Sequence, residues 1–360
     1  MTRLTRRLAL TLSVLLLASA CSDDSNIDAG DQGGEATTSA PETAPEPVTI
    51  TLITHDSFAI DTSLLDRFAG ETGITVELMT AGDTGQMISQ SILSAGQPLG
   101  DVMYGVDNTF LQRALDAELF EVYEADGLAN VGAEFQVDDE FRVTPINFGD
   151  VCINYWTDAL PGPAPTSLAD LLDPINAGQL VVQSPESSSP GLAFLLATIA
   201  GTEDWEQFWT DLRANGVSVT PDWESAYYGE FTAGGGDRSL VVSYASSPPA
   251  EVMFAAEPID TAPSGVLLDS CYRQIEFAGV LAGTEHPDAA GQVIEFLLSK
   301  EFQDGVPESM FVFPVSDEAE LPEIWATHAQ VADDPLILDP AEVEANRDEW
   351  TDRWVEIVLG

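Results

Sequence analysis

From Val48 onward, short stretches with a two-residue hydrophobic period alternate with longer stretches of helical period, a pattern that points to an α/β fold with a parallel or mixed sheet. Residues 48–54 alternate apolar and polar side chains, are rich in β-branched residues and stop at His55-Asp56-Ser57, so they form a strand ending in a loop. A helix follows with Leu64, Leu65 and Phe68 on its apolar face; Gly73 ends it, and 74–79 supply the next strand. The plan repeats with a helix over 84–95 carrying Met87, Ile88, Ser91 and Ile92 at helical spacing, Gly96 as its stop, and a strand at 102–104. An extended stretch over 145–156, containing Gly149, leads into a second α/β region and is the expected first crossing between two lobes. Strands at 180–183 and 240–244 and helices at 191–200 and 204–215 belong to this region; Trp205, Phe208, Trp209 and Leu212 form the inward face of the second helix. Near 279–283 the chain crosses back. His286-Pro287-Asp288 then opens a helix with Val293, Ile294, Leu297 and Leu298 as its buried stripe, and helices at 340–346 and 348–359 close the chain.

The first residues belong to a different regime. Arg3, Arg6 and Arg7 precede the apolar run 8–17, and small residues lead to Cys21, which reads as an export signal over 1–20, too short to cross a bilayer. Leu17-Ala18-Ser19-Ala20-Cys21 resembles a bacterial lipobox, which would make Cys21 the lipidated N-terminus of the mature protein; the alternative is an ordinary secretory signal with an incidental cysteine. Residues 21–47 are rich in Gly, Ser, Thr, Pro, Asp and Glu, the composition of a disordered tether. The expected organisation is then signal (1–20), tether (21–47), lobe 1 (48–147), lobe 2 (148–278), and a return to lobe 1 with the C-terminal helices (279–360).

Acidic residues number 61 against 12 basic ones, which excludes nucleic acid as a partner on electrostatic grounds. A cationic ligand fits this charge, but a surface with Lys300 as its only lysine also suits solubility in a saline habitat, which accounts for more of it. With Cys21 assigned to lipid, Cys152 and Cys271 remain in an exported, oxidising setting that favours a disulfide between strand-like segments; two buried thiols are the alternative. No CxxC or clustered His/Cys spacing suggests zinc.

Ligands of open α/β sheets sit beyond the carboxyl ends of the strands, where loops and helix starts converge. Three polar loops have that placement: His55-Asp56-Ser57, Gly105-Val106-Asp107-Asn108 and Ser187-Ser188-Ser189-Pro190-Gly191. Asp and Asn before a helix are also ordinary caps, and the serine run could be a solvated loop or a helix start that holds an anion or hydroxyl. Trp223, Tyr244 and Phe311 lie at element ends, where an aromatic ring can face a cleft and hold a flat cation.

The segments His55-Asp56-Ser57-Phe58, residues 101–108, Ser188-Ser189-Pro190-Gly191-Leu192, Trp223-Glu224-Ser225-Ala226-Tyr227 and residues 243–248 resemble, in order, the thiamine-binding proteins of ABC importers. The resemblance implies a two-lobed type II periplasmic-binding-protein fold with a mixed sheet in each lobe and a ligand cleft between them. It also implies a monomer without cofactor or catalytic activity, which captures thiamine or its phosphate esters outside the membrane and delivers them to a permease and its ATPase. Carried over, Trp223 and Tyr244 would flank the ligand rings beside Tyr227 and Phe311. Asp56 and Asp107, with Ser57 and Asn108, would offer charge and acceptors, and Ser188, Ser189 and Gly191 would meet the hydroxyethyl or phosphate end. Two positions depart from the family pattern: Phe311 stands where Trp is frequent, and Ala250 where a ring often follows the Ser-Pro pair.

Tyr227-Tyr228 resembles the adjacent tyrosines of ferric-ion carriers of the same superfamily, so a ferric-ion or polyamine carrier is the alternative within the fold. An exported hydrolase is the remote one. GxSxG is absent, and His55, His286 and His328 are scattered. The lipobox reading makes a direct prediction: Cys21→Ala yields protein in the soluble fraction, and a variant that still sediments with membranes would refute the anchor.

Overall fold

A computed structural model describes residues 48–360; the expected signal, Cys21 and the tether lie outside the described residues. The chain begins with β1 (Val48–Thr54), α1 (Thr62–Thr72), β2 (Ile74–Thr80), α2 (Thr84–Leu93), β3 (Val102–Asp107) and α3 (Leu111–Asp116). Gly73 ends α1 at φ 76, a left-handed cap that glycine takes without steric cost. Ile50 and Leu52 point to one face of β1 and Ile53 to the other, the two-residue period of a strand covered on both sides.

The long strand β4 (Thr144–Trp156) carries the chain into β5 (Leu180–Gln183), α4 (Ser189–Gly201), α5 (Trp205–Ala214), β6 (Ser218–Thr220), β7 (Leu240–Tyr244) and α6 (Pro248–Met253). The return runs through β8 (Ser264–Val280), followed by α7 (Pro287–Leu298), α8 (Lys300–Met310), β9 (Phe313–Pro314), α9 (Glu323–His328) and α10 (Pro340–Val358). The last of these is one continuous helix, where the sequence reading has two, because nothing between 346 and 348 breaks the backbone hydrogen bonding.

The strands form a single sheet in the order β2-β1-β3-β8-β4-β7-β5-β6, with β9 beside β4. Each half is mixed. β1 pairs parallel with β2 and β3, β5 pairs parallel with β6 and β7, and the antiparallel pair β4 and β8 joins the two groups. The sheet is therefore continuous through the two crossing strands, and β8 begins its return at Ser264, well before the expected crossing near 279.

Val293, Ile294 and Leu297 of α7 pack beneath β1 and β3. Residues 189–198 of α4 are buried around the whole helix circumference, as expected of a helix apolar on every side, and the helix packs against β4, β5, β7 and β8. Cys152 of β4 and Cys271 of β8 form a fully buried disulfide that locks the crossing strands together across 119 residues of sequence. Replacing both cysteines by serine is expected to lower unfolding stability by about 2 to 4 kcal/mol. Denaturant melts of parent and double variant test this, and equal midpoints would show that the bridge adds nothing.

Candidate functional site

The segments that follow β1, β2, β6 and β7 and the start of α4 converge on a cavity of about 180 Å3. His55, Ser57, Asp83, Ser189, Trp223, Glu224, Tyr228, Tyr244, Gln274, Glu276 and Phe311 are among its lining residues. No lysine or arginine of the described residues lines it.

Of the residues expected at the site, Ser57, Ser189, Trp223, Tyr244 and Phe311 reach the cavity. Trp223 stacks on Tyr227 with ring centroids 4.8 Å apart and 19° between planes, and meets Tyr228 edge to face at 5.4 Å. Its Nε1 donates to Ser243 Oγ at 3.0 Å, fixing the ring. Tyr227 lies behind it, its hydroxyl donating to Glu251. Tyr244 ends β7 and lies across Gly149 of β4, where a Cβ would come within 2.9 Å of the phenol ring. Phe311 caps α8 in the left-handed region at φ 55, and Ser246 Oγ donates to its carbonyl at 2.7 Å.

The remaining expected residues do not line the cavity. Asp56 is half-buried in the loop after β1, within hydrogen-bonding reach of Ser57. Asp107 is fully buried and accepts from Ser189 Oγ, Thr109 Oγ1 and Gln274 Nε2, so its carboxylate ties the end of β3 to α4 and β8. Asn108 turns the other way and bonds the backbone of Arg273 and Ile275. Ser188 caps α4, its Oγ accepting from Gly191 N at 3.5 Å, and Gly191 packs where a Cβ would stand 2.7 Å from the Gln183 carbonyl.

Three carboxylates on the lining, Asp83, Glu224 and Glu276, were not singled out in the sequence. Asp83 caps α2, its Oδ1 accepting from Thr84 N at 2.7 Å and Ser189 N at 3.3 Å. Burial raises its pKa to about 7 against the pull of Ser188 and the Thr84 amide; the Ser188 hydroxyl lies close, yet Oδ2 makes no well-formed hydrogen bond. Glu276, also raised by burial to about 7, accepts from Asn147 Nδ2 at 2.8 Å and Tyr104 Oη at 3.4 Å. His55 Nε2 approaches Glu276 at 3.5 Å without a hydrogen bond, and burial lowers the imidazole to about 4 although Asp56 and Asp107 oppose this. The ring fits only because residue 105 is glycine, at φ 102 and with a Cβ position 2.3 Å from His55 Cδ2. Gln274 and Glu276 were legible as a pair, since residues two apart on a strand share a face and both are polar in alternation with the apolar Ile275 and Phe277.

A two-half fold with a lined cavity where strand ends meet is the architecture of a capture protein, and the comparisons agree. The chain belongs to the bacterial extracellular solute-binding proteins, whose family model matches residues 97–334. Among its relatives are the thiamine-binding periplasmic proteins of Salmonella typhimurium, 29% identical over 86% of this chain and 93% of its own length, and of Escherichia coli, 29% identical over 88% and 96%. A solved periplasmic thiamin binding protein superposes with a TM-score of 0.75 at 25% identity, covering 86% of this chain and 96% of its own. Iron-bound HitA from Pseudomonas aeruginosa shares the fold, with a TM-score of 0.69 at 23% identity over 86% of this chain and 99% of its own.

The raised carboxyls link stability to pH. A group whose folded pKa lies above its unfolded value adds stability below the unfolded value, and this is lost as pH rises through the folded one. Asp83 and Glu276 therefore destabilise the fold progressively from about pH 4 to about pH 7. His55 acts in the opposite sense, its contribution lost as pH falls from 6.5 through about 4. Glu276→Gln should remove one proton from this linkage and flatten the fall in stability by about 1.4 kcal/mol per pH unit in that window. Urea melts from about pH 5 to about pH 8 read the slope, and an unchanged slope would refute the buried, protonated Glu276.

Proposed function

We propose that this protein captures thiamine outside the cytoplasmic membrane and delivers it to the permease and ATPase of an ABC importer, as a carrier and not as an enzyme. One observation carries the reading: the cavity combines carboxylates with aromatic rings and has no basic lining residue. Thiamine has a fixed positive charge on its thiazolium ring and a flat aminopyrimidine, so it needs ring faces and compensating negative charge. Trp223, Tyr228, Tyr244 and Phe311 supply the faces, and Asp83, Glu224 and Glu276 supply the charge. Relatives similar along almost the whole chain and described as thiamine-binding support the same cargo.

The ferric-ion alternative draws less support. A phenolate pair would have to point at one metal, whereas the Tyr227 hydroxyl is committed to Glu251 and Tyr228 alone of the two lines the cavity. A polyamine would find the carboxylates but would leave the ring faces unused. We further propose anchoring through a lipidated Cys21, and closure of the two lobes about β4 and β8 when ligand bridges them.

Calorimetric titration with thiamine, using ferric ion and a polyamine as controls, tests the proposal. Saturable thiamine binding is expected, while a visible charge-transfer band on adding ferric ion would favour the metal reading. Trp223→Ala should weaken thiamine binding by about thirtyfold, the cost of a desolvated aromatic anchor of about 2 kcal/mol. Unchanged affinity in a variant that circular dichroism shows to be folded would remove Trp223 from the site.

A further inference from the structure

Among the residues that line the cavity, Ala59, Glu224 and Tyr228 are exposed, and they mark where it opens to solvent. Ala59 is a fixed lip, with only a methyl group to present and its N–H donating to Met310 Sδ at 3.0 Å. Tyr228 is the large side chain on this rim. It is 53% exposed, whereas the other lining rings of Trp223, Tyr244 and Phe311 are half-buried.

The local backbone puts the ring there. Residues Ser225–Glu230 form a single π-helical turn, closed by Phe231 N donating to the Ala226 carbonyl at 2.9 Å. A turn closed five residues back holds one residue more than an α-turn. Tyr227 and Tyr228 therefore both return to the Trp223 indole, the first stacked at 4.8 Å and the second edge-on at 5.4 Å. Tyr227 is committed, being buried with its hydroxyl on Glu251. The Tyr228 hydroxyl makes no hydrogen bond among the described residues, and its ring meets Trp223 and Tyr227 only edge to face. The main chain beneath it is held. Asp222 Oδ1 accepts from Ser225 N at 2.7 Å, and Gly234 packs so closely on the Tyr228 carbonyl that a Cβ there would stand 2.3 Å away.

A free ring on a fixed backbone at the rim of a binding cavity has the form of a gate. We infer that Tyr228 swings over the captured cation and sets how long thiamine stays rather than how fast it enters; this rests on the thiamine reading and adds control of release to it. A ring without a hydrogen bond, touched only at its edges, exchanges rotamers at low cost. Turned outward it leaves the entrance clear, and turned inward it lays a π face over the thiazolium charge. Burial, with Glu224 and Glu251 nearby, raises the phenol above its ordinary pKa, so the ring that covers the ligand is neutral. A contact made after entry stabilises the bound state and not the encounter, so its loss appears in the dissociation rate.

Release of labelled thiamine into excess unlabelled thiamine gives the dissociation rate, and stopped-flow mixing followed by tryptophan fluorescence gives the association rate. Tyr228→Ala is expected to release thiamine at least about threefold faster than the parent and to associate within about twofold of the parent's rate. Tyr228→Phe keeps the ring and should restore slow release. Hydroxyl-radical footprinting of the parent chain needs no variant: the Tyr228 ring should be modified readily without ligand and protected by saturating thiamine. If circular dichroism shows the alanine variant unfolded, the footprint decides. The gate is overturned by an alanine variant that releases at the parent's rate, by one whose loss of affinity lies in association, by a phenylalanine variant that fails to restore slow release, or by equal modification of Tyr228 with and without thiamine. A parent that binds no thiamine overturns the thiamine reading and the gate together, whereas a parent that binds it and leaves Tyr228 unprotected overturns the gate alone.

Discussion

The antiparallel pairing of β4 with β8 is the constraint on which the rest of the molecule depends. The two strands run side by side from Thr144 against Ala278 to Trp156 against Ser264, and every other strand except β9 joins the sheet on one side or the other of this pair. β3 attaches to β8, carrying β1 and β2 with it, and β7 attaches to β4, carrying β5 and β6. The two parallel groups are thereby aimed at a common centre, where Gln274 and Glu276 of β8 line the cavity that their loops surround. The pairing is irregular beside the disulfide, with the register shifting between Val151 and Ile153, so the covalent link sits where the hydrogen-bonded ladder is interrupted.

Electrostatics at this centre are arranged by burial more than by ion pairing. Asp83 and Glu276 are each taken out of water without a basic partner strong enough to keep them ionised, and the only imidazole nearby is itself held neutral by desolvation. A cation entering such a place meets groups that gain by ionising. Its binding and their deprotonation reinforce one another. In that sense the site stores its negative potential as weakly held protons, which differs from a site whose carboxylates are fully charged before the ligand arrives.

Much of this was legible in the sequence because the governing rules are local. The strands 48–54, 180–183 and 240–244 coincide with the structure, since β-branched alternation and flanking turn residues determine a strand over a few positions. The loops at residues 55 and 188 fall at a strand end and a helix start, whereas the expected loop at 105–107 is the last part of β3, which runs on to Asp107; in neither case does position reveal side-chain direction. Asp107 and Asn108 are neighbours, yet one bonds the side chains of Ser189 and Gln274 beside the cavity and the other bonds the backbone of β8 at Arg273 and Ile275. Asp83 escaped notice because a cap before a helix is among the most ordinary uses of aspartate; its second helix, at Ser189, is 106 residues away and comes into view only in three dimensions. The 17-residue β8 was shortened to its second half because Asp269 and Ser270 interrupt it after the short apolar run Val266-Leu267-Leu268.

Phe311 brings two demands into opposition. A left-handed backbone is the conformation for which glycine or asparagine would be chosen, and a phenylalanine there costs of order 1 kcal/mol or more. The ring, however, faces the cavity and meets Phe254 at 5.8 Å edge to face and Trp325 at 6.4 Å. Selection for thermal robustness alone would drift this codon toward a small residue, and selection for ligand retention would hold the aromatic. Descendants of this chain that lose their cargo should therefore record the loss first at this position, as a gain in stability.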